Sequence, residues 1–331
     1  MQNFRSRGRS TAAASAPQEF AILTEPYRRE LQVHCYRLLG SLQDAEDLVQ
    51  ETLLRAWQKR AALREQSALR AWLYKIATNA CLDTLRQRPK RTLPTLAAPA
   101  LTAPSQPAPA IVEPIWLEPL PEDWLATPEQ EPHARYSQIE SISLAFLAAL
   151  QYLPPRQRAV LILGDVLDWR AQEIAQRLGL TVAAVNSALH RARATMHKHY
   201  RTGEFETLRM SDAATRQILE RYVRAWENAD IENLVALLAT DARLAMPPTP
   251  SWYRGREAIG GMLAAMAFAN ASPETWRLVP TRANGLPAYA MYQRAGDQAP
   301  QPFGVMLLQL AQKQITEVIV FMMPDLVRRF V

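Results

Sequence analysis

A proline-rich interruption constrains the fold of this chain more than any other feature. Residues 89–132 hold 11 of the 24 prolines in the 331-residue sequence. The helical periodicity disappears there, and proline fixes φ and removes a backbone hydrogen-bond donor. The apolar residues on both sides follow helical spacing. We therefore expect an extended linker at 89–136 between two folded domains.

The segment at 20–88 has the pattern of an all-helical domain. Val49, Leu53 and Trp57 recur every four residues and form one apolar stripe, and a second stripe includes Leu73 and Ile76. These stripes predict three or four helices. Helical spacing resumes at 137–203, beyond the linker. Within the linker, residues 115–125 hold two tryptophans and several aliphatic residues, which suits a docked segment better than a solvated tether.

The positive charge is concentrated in the front of the chain. Of the net charge of +6, residues 211–331 contribute 12 Lys and Arg against 11 Asp and Glu. Residues 1–19 are basic, and we expect a disordered tail there rather than an organelle transit peptide. A basic front is typical of proteins that contact a polyanion. Charge alone does not identify that polyanion.

Cysteine content and hydropathy exclude several classes of protein. Cys35 and Cys81 are the two cysteines, so a disulfide framework and a zinc site of paired thiolates are excluded. No apolar run approaches the roughly 20 residues of a membrane span. We expect a cytoplasmic protein with no membrane partner, no metal and no cofactor.

The segment at 169–193 has the signature of a helix-turn-helix. Ile174, Val185 and Leu189 can close the core between two crossing helices, Gly179 permits the tight turn, and Thr181 can cap the second helix. Residues 182–201 contain four Lys and Arg, three histidines and no acid. Such a helix fits the major groove of DNA, whereas the alternative is an ordinary helical hairpin with a solvated basic face.

Three motifs now give a family resemblance. Residues 153–161 (LPPRQRAVL) with the helix-turn-helix resemble region 4 of bacterial sigma factors. Residues 44–57 (DAEDLVQETLLRAW) resemble region 2, and residues 72–86 resemble its promoter-melting part. Their order and the linker between them resemble the extracytoplasmic-function (ECF) class. This resemblance covers about residues 20–200.

The resemblance implies two partners, core RNA polymerase and promoter DNA. Region 2 would dock an acidic helix on polymerase, where a charged rim gives orientation and apolar residues give contact area. The polymerase-binding positions would be Asp44, Glu46, Asp47, Leu48, Gln50, Glu51 and Trp57. The positions facing the −10 element would be Trp72, Lys75, Asn79, Asp83 and Arg86. The positions facing the −35 element would be Thr181, Ala184, Asn186, Ser187, His190, Arg191 and Arg193. Trp72 equally suits the core, and Asp83 equally suits a pair with a basic neighbour.

The period of the apolar pattern changes at residue 211. Helices followed by strands predict an α+β domain over 211–331, and the layout resembles the SnoaL-like cone-shaped barrel. We therefore expect a multidomain fold of two all-α domains, a proline-rich linker and this barrel. By resemblance, the barrel would modulate sigma activity through an intramolecular contact or a small ligand. The candidate pocket residues are Met246, Trp252, Tyr253, Trp276, Arg282, Asn284, Tyr289 and Tyr292, and a filled core is the alternative.

Catalysis in the barrel is not expected. Residues 211–331 lack histidine, and Asp241, Glu257 and Glu317 are the few acids to consider as an acid or base. Two other functions remain open from sequence. One is an isomerase or cyclase fused to a DNA-binding module, which needs a buried carboxylate with a perturbed pKa. The other is a helix-turn-helix regulator that binds DNA without polymerase.

Overall fold

The computed structural model of the protein describes residues 16–63, 65–111, 115–125, 137–200, 213–296 and 298–331. Three long helices come first: α1 (Ala16–Leu39), α2 (Leu42–Gln58) and α3 (Leu69–Gln87). The predicted all-helical domain is confirmed, and its first helix begins at Ala16, inside the predicted tail. Residues 1–15 of that tail lie outside the described residues. None of the described helices is long and apolar enough to cross a membrane.

The turn between α1 and α2 is set by two residues. Gly40 has a left-handed conformation with φ of +71°, and a Cβ at this position would collide with the Leu117 side chain. Ser41 caps α2 by accepting a hydrogen bond from Asp44 N at 3.1 Å. Glycine is therefore needed here both for its backbone conformation and for the close approach of the linker.

The second helical domain contains the helix-turn-helix. After the short α4 (Pro94–Ala97) in the linker come α5 (residues 137–140), α6 (Leu144–Leu150) and α7 (Pro155–Leu161), which continues into a π-helical turn. The motif itself is α8 (Ala171–Leu178) and α9 (Val182–His199). Gly179 ends α8 at a φ of +66°, and Thr181 caps α9, both as predicted. Its own small core holds Val160, Leu163, Ile174, Ala175, Val185 and Ala188.

The C-terminal domain is a six-stranded sheet with helices packed against it. Helices α10 (Ala213–Glu227) and α11 (Ile231–Ala236) precede it, and α12 (Arg256–Ala265) lies between strands. The strands are β1 (Leu238–Ala245), β2 (Trp252–Arg254), β3 (Trp276–Ala283), β4 (Leu286–Gln293), β5 (Gln301–Ala311) and β6 (Gln314–Phe321), followed by α13 (Pro324–Val327). Their order is β2-β1-β6-β5-β4-β3, with β1 and β6 parallel and the other pairs antiparallel.

Both faces of this sheet are buried. Along β5, Val305 and Leu307 join the core of the helical domains, whereas Met306 and Leu308 join the core of the cone. Successive side chains of a strand point to opposite faces, so a strand buried on both sides has a continuous apolar sequence. The helical domains, the linker and the outer face of the sheet therefore share one hydrophobic core.

The linker is held in two segments. We call residues 98–111 the strap and residues 115–125 the island. Leu101 in the strap pairs with the β2 edge, donating from N to Trp252 O and accepting from Arg254 N, each at 2.9 Å. In the island, Trp116, Leu117 and Leu120 are at most 3% exposed. Most of the described linker thus has fixed partners, which the sequence predicted for the island alone.

Candidate polymerase and nucleic-acid interface

The predicted polymerase-binding residues of helix α2 differ in solvent exposure. Asp47 and Gln50 are exposed, whereas Leu48 is in the core at 9% exposure. Trp57 is half-buried between Phe20, whose ring centroid is 5.5 Å away, and the Arg60 guanidinium at 3.8 Å. Glu51 pairs with Arg55 at 2.6 Å on the helix surface.

The first turn of α2 is already occupied by other parts of the chain. Asp44 is ion-paired with Arg88 and also with Arg91 Nη2 at 2.7 Å. Burial alone would raise the pKa of Asp44, but hydrogen bonds from the two arginines outweigh burial and lower it. Glu46 accepts from Arg329 Nη2 at 2.6 Å, near the C-terminus. Asp44 and Glu46 are therefore engaged by residues from outside α2.

The residues predicted to face the −10 element lie on α3. Lys75, Asn79, Asp83 and Arg86 are exposed at spacings of three and four residues. Asp83 pairs with Arg86 at 2.8 Å. Trp72 is half-buried and packs against the main core. The exposed face is therefore polar and of mixed charge.

The outer face of α9 is open to solvent. All seven residues predicted to face the −35 element are exposed: Thr181, Ala184, Asn186, Ser187, His190, Arg191 and Arg193. Arg191 Nη1 donates to Ser187 Oγ at 2.6 Å. Arg193 pairs with Asp165 at 2.6 Å, and the hydrogen bond to Asp165 raises the pKa of Arg193. The helix thus presents a basic, acid-free surface about three turns long.

The two helical domains are packed against each other. Arg158, from the motif that resembles region 4, is 2% exposed and donates from Nη1 to Leu38 O at 2.7 Å. This carbonyl lies in the last turn of α1, where a positive charge is favourable. Burial lowers the pKa of Arg158 to about 10. Trp169 adds a ring contact to Tyr74 with centroids 5.6 Å apart.

Glu118 of the island caps α2. Its Oε1 accepts from Ser41 Oγ at 3.0 Å, and its Oε2 accepts from Leu42 N at 2.8 Å and from Gln43 N at 3.2 Å. Glu118 therefore satisfies amides at the N-terminus of α2 and complements its dipole. Because Glu118 belongs to the linker, the linker and region 2 are joined at the helix that carries the predicted polymerase contacts.

Asn284 joins four parts of the chain. Its Nδ2 donates to Tyr36 OH at 2.8 Å and to Ile142 O at 2.6 Å. Its Oδ1 accepts from Leu120 N at 2.8 Å. The C-terminal domain, both helical domains and the island therefore meet at one buried amide.

The C-terminal domain contains an apolar pocket of about 300 Å³, which is partly open to solvent. Met246 and Trp276, two of the predicted pocket residues, line it. Trp252 Nε1 donates to Ala98 O at 2.7 Å, and Tyr253 OH donates to Ser105 O at 2.6 Å, so both hold the strap. The remaining predicted pocket residues also lie outside the lining: Arg282, Asn284, Tyr289 and Tyr292.

These four residues serve other contacts. Arg282 pairs with Glu122 of the island at 2.6 Å. Tyr289 lies in a groove beside α10, and Tyr292 packs on the shared core. The predicted pocket residues therefore do not form one site: two line the cavity, four contact the linker, and the two tyrosines of β4 lie elsewhere.

The three acids considered for catalysis lie outside the cavity lining. Asp241 and Glu257 are exposed. Glu317 is on β6 at the same parity as Ile319 and Phe321, which face the helical domains. Burial raises the pKa of Glu317. The positive charge of Arg243, opposite it in β1, lowers that pKa by a smaller amount. No carboxylate or histidine lines the cavity among the described residues.

The sequence did not identify three residues that lie on or contact α2. Leu54 is 56% exposed on α2, one turn beyond Gln50 on the same face as Asp47. Its signal in the sequence is an apolar residue outside the buried stripe. Glu118 and Arg329 had no comparable signal, since their partners are more than 70 and 280 residues away.

The order of the parts defines the class of protein. Residues 23–91 match the family Sigma-70 region 2, residues 143–196 match Sigma-70, region 4, and residues 219–318 match the SnoaL-like domain. The protein is thus a sigma-70-type sigma factor that carries a SnoaL-like domain at its C-terminal side.

Comparison with whole proteins gives the family. The ECF RNA polymerase sigma factor SigG of Mycobacterium tuberculosis (strain ATCC 25618 / H37Rv) is 44% identical over 313 residues, covering 94% of this chain and 83% of SigG. The chain belongs to the ECF sigma factors. SigE of Mycolicibacterium smegmatis is 30% identical over 173 residues, 52% of this chain and 58% of SigE. The crystal structure of M. tuberculosis SigJ has the same fold, with a TM-score of 0.54, 21% identity and coverage of 93% of this chain and 97% of SigJ.

Proposed function

We propose that this ECF sigma factor binds core RNA polymerase with the exposed face of α2, holds the −10 element with α3 and contacts the −35 element with α9. The observation that carries the proposal is that all three helices keep a polar face in solvent while their opposite faces are buried. Extruded bases and single strands need aromatic and amide groups with nearby cations, and Trp72, Asn79 and Lys75 supply these groups. The basic outer face of α9 suits the major groove.

We further propose that the C-terminal domain holds the factor in a closed form. Promoter recognition at two separate elements requires the two helical domains to lie apart on the DNA. In the closed form Arg158 attaches one domain to the other, and the C-terminal domain binds both the strap and the island. Opening must therefore break contacts made by the C-terminal domain, which gives that domain control over initiation in cis.

We infer that the SnoaL-like domain acts as a regulatory domain and not as an enzyme. Its cavity offers neither carboxylate nor imidazole among the described lining residues, and acid–base chemistry on a ligand needs such a group within hydrogen-bond reach. A cytoplasmic location stays a prediction from the sequence.

Charge reversal on α2 tests the polymerase assignment. The double variant Asp47→Lys with Glu51→Lys should weaken binding to core polymerase at least about 100-fold, because like charges would then face each other at the docking site. The matched control is Glu220→Lys with Asp241→Lys, which changes two exposed acids of the C-terminal domain by the same charge. Affinity is measured by fluorescence anisotropy, and circular dichroism verifies the fold. Equal affinity of the α2 variant and the control would remove α2 from the interface.

A further inference from the structure

The strap, residues 98–111, lies on the C-terminal domain in the way that an extended peptide lies on a receptor. It contains four prolines and no charged residue. At the β2 edge, Leu101 N donates to Trp252 O and Leu101 O accepts from Arg254 N, each at 2.9 Å. Main-chain pairing at the edge of a sheet is a recurring mode of peptide recognition. The strap therefore occupies a site of a kind that can also bind a separate chain.

Side chains of the C-terminal domain hold the strap by its main chain. Tyr253 OH donates to Ser105 O at 2.6 Å, and Ser251 Oγ accepts from Ala108 N at 2.8 Å. The hydroxyl of Ser105 instead donates within the strap, to Ala103 O at 3.4 Å. Among the described residues, no polar side chain of the strap is hydrogen-bonded to the C-terminal domain. The site therefore recognises the course of the main chain and not the polar side chains of the strap.

A glycine of α12 makes room for one proline of the strap. A Cβ at Gly261 would collide with the Pro104 ring, so this close approach requires glycine. Gly261 lies inside a helix, where glycine is otherwise less favourable than alanine. Leu101, Pro104 and Pro107 recur every three residues, which is the repeat of a polyproline II helix. The site therefore suits an extended, proline-rich segment.

The strap is covered so little that another segment can replace it. Residues 102–106 and 108–110 are exposed, and Leu101, Pro107 and Ile111 are half-buried. Segments with few buried contacts open at a low free-energy cost. A ligand that is not tethered must still compete with the strap, whose effective concentration is roughly in the millimolar range.

We propose that this surface is a receptor for an extended, uncharged, proline-rich segment of a partner protein, which displaces the strap from β2 and from Gly261. The regulatory meaning rests on the proposed closed form: because the strap belongs to the linker between the two helical domains, its displacement frees part of that linker. The binding itself does not depend on the closed form.

A fluorescent synthetic peptide with the sequence of residues 98–111 is the probe, and anisotropy measures its binding to the full-length protein. In one variant, residues 99–109 are replaced by a Gly/Ser segment of equal length. This variant should bind the peptide at least about 10-fold more tightly than the wild type does, because the tethered competitor is gone. A peptide with alanine in place of Pro104 and Pro107 should bind the variant about fivefold more weakly, since it loses the preorganised extended form.

Substitutions of the site, made in the Gly/Ser variant, test which residues form it. Gly261→Ala should weaken peptide binding about 10-fold, although alanine is the better helix former and should not disturb α12. Tyr253→Phe should weaken it about 3–10-fold, the usual worth of one hydrogen bond. Tyr292→Phe is the matched control, since Tyr292 is on β4, which is separated from β2 by three strands. Circular dichroism verifies the fold of each variant.

Hydrogen exchange in the wild type covers the case in which the Gly/Ser variant does not fold. An excess of the peptide should accelerate exchange at the Leu101 amide, and the alanine-substituted peptide should do so less. Unchanged exchange, no binding by the folded Gly/Ser variant, or binding that Gly261→Ala and Tyr253→Phe leave unaltered would overturn the proposal. A wild-type dimer in sedimentation that the Gly/Ser variant does not form would also overturn it, because the site would then take the strap of a second copy. No polymerase or DNA is present, so the outcome is independent of the polymerase and promoter assignments.

Discussion

Asn284 donates from Nδ2 to the Tyr36 hydroxyl at 2.8 Å, and this hydrogen bond joins the C-terminal domain to the first helix of region 2. Both side chains are at most 1% exposed. Tyr36 in turn donates to Glu118 O at 2.7 Å. Asn284 is in the left-handed region with φ of +52° and precedes Gly285, as in the Asn-Gly turns of β-hairpins. The β3–β4 turn therefore positions the amide that joins the C-terminal domain to both helical domains and the island.

Replacement of Asn284 by glycine should loosen the closed form without disturbing the turn, because glycine accepts the same φ. Tyr36 OH, Leu120 N and Ile142 O would each lose a buried partner, so we expect a loss of about 2–4 kcal/mol in the free energy of unfolding. Transcription in vitro with core polymerase should rise several-fold if the C-terminal domain restrains the factor. Asn270→Gly, at an exposed asparagine, is the control. Lower stability with unchanged or reduced transcription would contradict the restraint.

Removal of the Arg329 side chain should free Glu46 for polymerase. Arg329 Nη2 lies 2.6 Å from Glu46 Oε2, and the two side chains are 22% and 23% exposed, respectively. Partly exposed pairs are worth up to about 1 kcal/mol, so Arg329→Ala should raise affinity for core polymerase about twofold to fivefold. Arg328→Ala is the control, since that arginine is 76% exposed and pairs with Asp325. A gain of the same size in the control would assign the effect to net charge rather than to Glu46.

Loss of the Glu118 cap should weaken both the linker and α2. Glu118→Ala removes the acceptor of three hydrogen bonds at the α2 N-terminus. We expect a loss of about 1–2 kcal/mol in the free energy of unfolding. Hydrogen exchange at the Leu42 and Gln43 amides should become faster. The control Asp123→Ala changes an exposed acid of the same island, and unaltered exchange at the two amides in Glu118→Ala would refute the capping role.

Local patterns predicted most of the fold. Local neighbours determine the apolar stripes of α2 and α3, the turn at Gly179 and the cap at Thr181. These features can therefore be predicted from a few consecutive residues. The three-residue strand β2 has no period long enough to detect.

The closed arrangement depends on distant partners. Arg158 and Leu38 are 120 residues apart, and Asn284 and Tyr36 are 248 apart. Asn284 was predicted as a pocket residue, as one of a set that suits a small apolar or aromatic ligand. Its neighbours could not be predicted, because the burial of the outer sheet face is a property of the assembled domains.

His34 should make stability depend on pH. Its ring is 0% exposed, with Nε2 2.9 Å from Thr78 Oγ1 and Nδ1 without a partner among the described residues. Burial, aided by nearby Arg37, lowers the pKa of His34 from 6.5 to about 3. Between these two values the unfolded chain carries a proton on His34 that the folded chain excludes, so acidification favours unfolding.

The expected slope is up to about 1.4 kcal/mol per pH unit below the pKa of the unfolded histidine, with no contribution from His34 above it. Urea unfolding is measured at about pH 7 and about pH 5. On this acidification, His34→Gln should lose less free energy of unfolding than the wild type does. The difference between the two proteins isolates His34, because carboxylates such as Asp44, whose pKa is lowered by its arginines, contribute equally to both. His190→Gln, at an exposed histidine, should keep the wild-type slope. Identical slopes for His34→Gln and the wild type would mean that the folded protein admits the proton at His34.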